Sequence, residues 1–137
     1  MSVGILLITH NHLGADLIET ARGMLCETPL AVANLSVSPA SDPDEVLERA
    51  RKLCGRLDSG GGILVLTDMF GSTPSNIACR LCDDHHQIRI LAGLNLPMLI
   101  RIFNYPTLDL DALKEKALSG GHDGVLNCQE MNAHGAD

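Results

Sequence analysis

The chain has no tryptophan, one tyrosine and two phenylalanines among 137 residues, and aromatics make up only 2% of it. Its core must therefore be built from Leu, Ile, Val, Ala and Met. No apolar run approaches the roughly 20 residues that a membrane-spanning helix needs, which argues against direct membrane insertion. Met1-Ser2-Val3-Gly4 carries no basic residue ahead of its short apolar run, so no secretory signal is expected. The net charge is −7 and no Lys/Arg cluster stands out, which argues against nucleic acid as a partner, because phosphate backbones call for a basic face. The five cysteines are an odd number in a chain without an export signal, which fits reduced thiols. A soluble cytoplasmic protein is the expectation.

What is present is an ordinary globular mixture, 45% hydrophobic and 20% charged, of a length that fits one domain. Such a domain buries roughly two-thirds of its unfolded surface. Nearly unbroken apolar runs at residues 3–8 and 63–66 read as strands buried on both faces. Shorter strand candidates lie at residues 30–37 and 88–92. Helical spacing links Leu17, Ala21, Met24 and Leu25, and again Val46, Leu47, Ala50, Leu53, Cys54 and Leu57. The second stripe is entered through Asp42-Pro43-Asp44-Glu45, which supplies a cap, a first-turn proline and acids at the positive dipole end. Ser72 or Thr73 can cap a third helix with Pro74 in its first turn. Residues 95–103 read as a short buried helix. Leu110, Leu113, Ala117 and Leu118 make another, closed by Gly120-Gly121. A final strand is expected near Val125-Leu126. Residues 129–137 read as a flexible tail, leaving residues 1–128 as the domain.

Strands alternating with helices predict an α/β fold: a three-layer sandwich with a mostly parallel central sheet flanked by helices. Ligands of such sheets bind beyond the carboxyl ends of the strands, near the switch in strand order. The loops that matter are then those after Ile8, Leu66 and Ala92. The first holds Thr9-His10-Asn11-His12, the second Thr67-Asp68-Met69-Phe70-Gly71-Ser72-Thr73-Pro74. If the first and third strands are neighbours, His10 and Asp68 lie side by side. A carboxylate on one imidazole nitrogen fixes the tautomer and leaves the other lone pair free to attack. A helix starting near Ser72 aims unpaired backbone N–H groups at the same place, an anion cradle. Nucleophile, orienting acid and cradle from two loops are the parts that phosphoryl transfer uses.

Blander roles compete for the other residues. His12 reads as loop surface, and Gly71 as the residue that permits a tight turn. Cys79 and Cys82 have the C-x-x-C spacing and His85-His86 follow, but finger-type zinc sites want four well-spaced ligands and redox pairs open a helix after a first strand. Buried packing is the expectation for Cys79, and Cys26, Cys54 and Cys128 read as structural. Neither metal nor cofactor is expected. A receiver-like signalling domain phosphorylated on Asp68 is the alternative function, but it needs an acidic pair after the first strand, where Thr9-His10 stand. A metal-dependent hydrolase built on His10, His12, Asp16 and Asp68 is a third possibility, one that would retain or require metal where histidine phosphorelay needs none.

The segment ending Ile8-Thr9-His10, the run from Leu64 through Asp68 to Asn76, and Ala92-Gly93-Leu94-Asn95-Leu96-Pro97-Met98-Leu99 together resemble the mannose-family IIA component of the bacterial phosphoenolpyruvate-dependent sugar phosphotransferase system. The resemblance implies a phosphocarrier, a transferase with a phosphohistidine intermediate. His10 would accept a phosphoryl group from phosphorylated HPr and pass it to a IIB partner, which phosphorylates the sugar during transport, or else hold it as a signal for a regulatory protein. It implies Asp68 as the orienting acid, and Gly71, Ser72 and Thr73 as phosphate-binding positions. It also implies a homodimer that exchanges its C-terminal strand. Asn11 stands where many relatives have glycine, and Ser72 where a second glycine is common. The sequence runs to Asp137 with no IIB segment after the match, so transport and regulation both remain open roles.

Overall fold

A computed structural model describes residues 2–83 and 87–135. Four strands, β1 (Gly4–His10), β2 (Val32–Val37), β3 (Ile63–Thr67) and β4 (Ile88–Ala92), alternate with helices α1 (Leu13–Met24), α2 (Pro43–Leu57), α3 (Thr73–Arg80) and α4 (Leu96–Phe103). Helices α5 (Leu110–Asp123) and α6 (Cys128–Gly135) complete the chain. The sheet is entirely parallel in the order β2-β1-β3-β4. The chain thus leaves β1 for β2 on one side and returns to β3 on the other, so the switch point lies at β1.

Side-chain alternation along the central strands divides the core in two. Ile5, Leu7, Leu64 and Leu66 pack with residues of α1, α4 and α5, while Leu6, Ile8, Ile63 and Val65 pack with α2 and α3. All eight are fully buried, each worth about 1.5–3 kcal/mol by transfer from water. This is the expected three-layer α/β sandwich, its core almost wholly aliphatic, with Phe103 as the aromatic contribution. Among the described residues no helix is long and apolar enough to cross a membrane.

Several local expectations give way to packing. Helix α1 buries Gly14, Ile18 and Ala21, whereas Met24 is exposed. Helix α5 does not stop at Gly120-Gly121 but runs through both. A β-carbon at Gly120 would lie 2.5 Å from the Arg101 β-carbon, so glycine here serves close approach to α4 and is no stop signal. Val125 and Leu126 form no strand within the described chain. They are exposed coil between α5 and α6, and α6 occupies most of the stretch read as a tail. Cys79 is exposed where burial was expected; Cys26 and Cys128 are exposed too, and only Cys54 is buried. His85 and His86 lie outside the described residues.

Candidate active site

The site is built where β1 and β3 end together. Their register pairs Ile8 with Thr67, so the residues just beyond, His10 and Asp68, emerge side by side at the carboxyl edge. His10 Nδ1 lies 2.8 Å from Asp68 Oδ2, and the same oxygen accepts the His10 backbone N–H at 3.1 Å. The His10 side chain is 42% exposed and that of Asp68 13%, an imidazole facing outward over a sheltered acid. Burial pushes the Asp68 carboxyl up, but the hydrogen bonds from the His10 ring, the His10 backbone and its own backbone N–H, with the charge on His10, outweigh that. The net result is below the ordinary value of 3.8. An ionised carboxylate has only lone pairs to offer, so the proton in this contact sits on Nδ1, and in the neutral imidazole the free lone pair is then on Nε2. Among the described residues no group hydrogen-bonds Nε2.

Two buried side-chain atoms lack a partner among the described residues: Thr67 Oγ1 and Asp68 Oδ1. Each unsatisfied buried polar group costs about 1–3 kcal/mol. That both fall on consecutive residues at the end of β3, beside His10, is how functional sites depart from the satisfied interior.

A cleft of about 240 Å³ opens beside the histidine, lined by His10, Asn11, Val37, Ser38, Pro39 and Thr73. Of the three phosphate-binding positions expected from sequence, Thr73 lines this cleft as the first residue of α3. Ser72 is the N-cap of α3, but its hydroxyl donates to Met69 O at 2.6 Å, which closes the preceding turn. Gly71 has φ +82, the left-handed backbone that glycine takes without strain. Asn11 has φ +48, and asparagine is one of the few non-glycine types that tolerate this region. His12 is exposed at the N-cap of α1 and makes no capping bond with its side chain. No group of three or more His, Cys, Asp or Glu side chains that could hold a metal ion is found among the described residues; of His10, His12, Asp16 and Asp68, the first and last are in contact.

Sequence reasoning missed Ser38 and Pro39. They belong to the loop after β2, the third carboxyl-edge loop flanking β1, and strand order was the information needed to find them. It also passed over the rim: Met69 is exposed and Phe70 is 83% exposed, both directly after Asp68.

The family described as "PTS system fructose IIA component" (EIIA-man) matches residues 4–118. The chain is similar to the PTS system mannose-specific EIIAB component of Escherichia coli strain K12, 29% identical over 127 residues. That match covers 91% of this chain and 39% of the relative, so the chain spans well under half of that relative's length. A putative phosphotransferase enzyme IIA component of the same strain, YadI, is 34% identical over 53 residues. In fold, the mannose/sorbose-specific IIA subunit from Enterococcus faecalis superposes with a TM-score of 0.82 at 24% identity, covering 93% of this chain and 95% of that one. Component EIIA from Streptococcus agalactiae gives 0.81 at 20%, covering 93% and 98%. The family match over most of the chain, on a fold that sets a histidine and an aspartate together at the switch point, leads to one conclusion: this protein belongs to the mannose-type IIA family of the sugar phosphotransferase system.

Proposed function

We propose that His10 is the phosphoryl carrier, receiving the group from the phosphohistidine of HPr and handing it to a IIB domain. The observation that carries the reading is the 2.8 Å contact between Nδ1 and Asp68 Oδ2, which leaves Nε2 as the nucleophile on an exposed ring. Nε2 attacks phosphorus in line; the N–P bond of the donor imidazole breaks as the Nε2–P bond forms. The proton on Nδ1 stays in place, and the Asp68 carboxylate offsets the positive charge that grows on the ring. The return step uses the same geometry in reverse, so one site serves both donor and acceptor. Thr73 contacts the transferred group, as do the backbone N–H groups in the first turn of α3, which have no intrahelical partner. Gly71 and Ser72 shape the turn that presents them. The His10 ring is well exposed, in keeping with a group that arrives and leaves on the surface of another protein.

The assembly reading is a homodimer that exchanges C-terminal segments. Support comes from β4, an edge strand with one side open, and from Val125, 78% exposed. Nearby lies a groove of about 370 Å³, lined in part by Ala92, Met98, Leu118 and Val125 and in part by the polar Asn95 and His122. Light scattering at micromolar concentration tests this, with twice the chain mass expected. A regulator reading the phosphorylated state would have to recognise the same face as HPr. Nothing in the fold or the relatives favours a receiver domain phosphorylated on Asp68. Incubation with phosphoenolpyruvate, enzyme I and HPr tests the central reading: an acid-labile phosphoryl group on His10 supports it, and an unmodified protein alongside a phosphorylated control contradicts it.

A further inference from the structure

Behind His10, on the opposite face of β1, lies a chain of hydrogen bonds that the transfer chemistry does not itself use. Thr9 is fully buried, and alternation turns its side chain away from His10 toward α1. Its Oγ1 accepts the Gly14 backbone N–H at 2.9 Å and donates to Asn34 Oδ1 at 3.4 Å. The Asn34 amide in turn donates to Ser36 Oγ at 3.2 Å. The direction of donation runs Gly14 to Thr9 to Asn34 to Ser36, which also fixes which way the Asn34 amide points.

Three features show that this network closes the turn carrying the histidine. Gly14 sits in the first turn of α1, whose N–H groups lack intrahelical partners. The N-cap, His12, supplies no side-chain bond, so Thr9 does the capping from outside the helix. Next, the turn between β1 and α1 is only two residues long, with Asn11 in the left-handed region at φ +48 and its N–H on Val37 O at 2.8 Å. Such a conformation persists only where the surroundings hold it. Finally, Gly14 has no room for a side chain: a β-carbon there would collide with Asn34 Oδ1 and lie 2.8 Å from Thr9 Oγ1.

From this the geometry assigns Thr9 and Asn34 as positioning residues for His10: their bonds pin the start of α1 to β1 and so aim the imidazole at Asp68 and at the incoming phosphorus. The assignment rests on the reading of His10 as the carrier. Asp68 holds the ring from one face of the sheet, and Thr9 holds the backbone from the other. Asn34 ties Thr9 to β2, and the loop after β2 reaches the site through Ser38.

The test compares wild type, Thr9→Val, Thr9→Ser and Asn34→Ala, measuring transfer from phosphorylated HPr and the nitrogen-15 shifts of the His10 ring. Valine keeps the shape of threonine and deletes both bonds, whereas serine keeps both. Thr9→Val should slow transfer about 10- to 100-fold, the order that misplacing a reacting group costs, and shift the ring signals from the Nδ1–H form toward a tautomer mixture. Thr9→Ser should restore the wild-type rate and spectrum, which a merely structural role would not require. If Thr9→Val does not fold, Asn34→Ala decides, since Asn34 is half-exposed on an edge strand. Wild-type rate and ring shifts in Asn34→Ala, or equal loss in Thr9→Val and Thr9→Ser, would overturn the assignment. A wild type that takes no phosphoryl group would instead count against His10 as carrier, and the ring spectra would still report on the network.

Discussion

One oxygen of Asp68, Oδ2, accepts two hydrogen bonds from a single residue: the His10 ring at 2.8 Å and the His10 backbone N–H at 3.1 Å. The acid therefore fixes both the rotation of the imidazole and the backbone that carries it. Replacing Asp68 by Ala should slow transfer about 100-fold, the order that misorienting a reacting group costs, without abolishing it, because Nε2 remains. Stopped-flow phosphoryl exchange with HPr measures this, and a wild-type rate in Asp68→Ala would remove the orienting role.

The same pair makes stability depend on pH in a defined direction. The Asp68 pKa in the folded chain lies below its ordinary value, so the folded state favours the ionised form. The stabilisation is complete above about pH 4, where the unfolded carboxyl is ionised too, and is lost as pH falls through the folded pKa. Denaturant titrations should show wild type more stable than Asp68→Asn at neutral pH, with the gap narrowing in acid. A gap that widens below pH 4 would contradict this sign.

Phe70 and Met69 stand exposed directly after Asp68, on the face where the proposed phosphoryl donor would dock. Phe70→Ala should leave unfolding stability within about 0.5 kcal/mol, as surface changes do. It should raise the KM for phosphorylated HPr about tenfold, in line with loss of an aromatic anchor of about 1.4 kcal/mol. An unchanged KM would place the docking contact elsewhere.

Asn95 is a structural counterpart at the far edge of the sheet. Its Oδ1 accepts the Met98 N–H at 2.9 Å, capping α4, while its Nδ2 donates to Gly121 O at 3.2 Å, tying α4 to α5. Asn95→Ala should cost about 1–2 kcal/mol, the upper range for loss of an N-cap, and leave transfer by His10 intact. Thermal melts paired with transfer rates would separate the two effects.

These predictions mark what the sequence could and could not convey. Strand β4 falls on the residues that the apolar run marked, and α2 follows its stripe from the proline entry, because both signals are local and periodic. The juxtaposition of His10 and Asp68 needed one non-local fact, the pairing of β1 with β3, which no periodicity encodes. Gly120 and Gly121 were misread as a helix end because glycine signals both a stop and a close approach, and only the neighbouring α4 decides between them. Thr9 passed unnoticed because a hydroxyl inside an apolar run acquires meaning only when Gly14 and Asn34 are brought to it. Cys79 looked buried by helical phase, yet α3 is too short for its phase to be set by one apolar neighbour.

The measurement that reaches the central claim most directly is intact-mass analysis after incubation with phosphoenolpyruvate, enzyme I and HPr, for wild type beside His10→Ala. The account predicts gain of one acid-labile phosphoryl group in wild type and none in the variant. A wild type that stays unmodified while a control IIA protein is phosphorylated, or a His10→Ala chain that gains the group all the same, would contradict it.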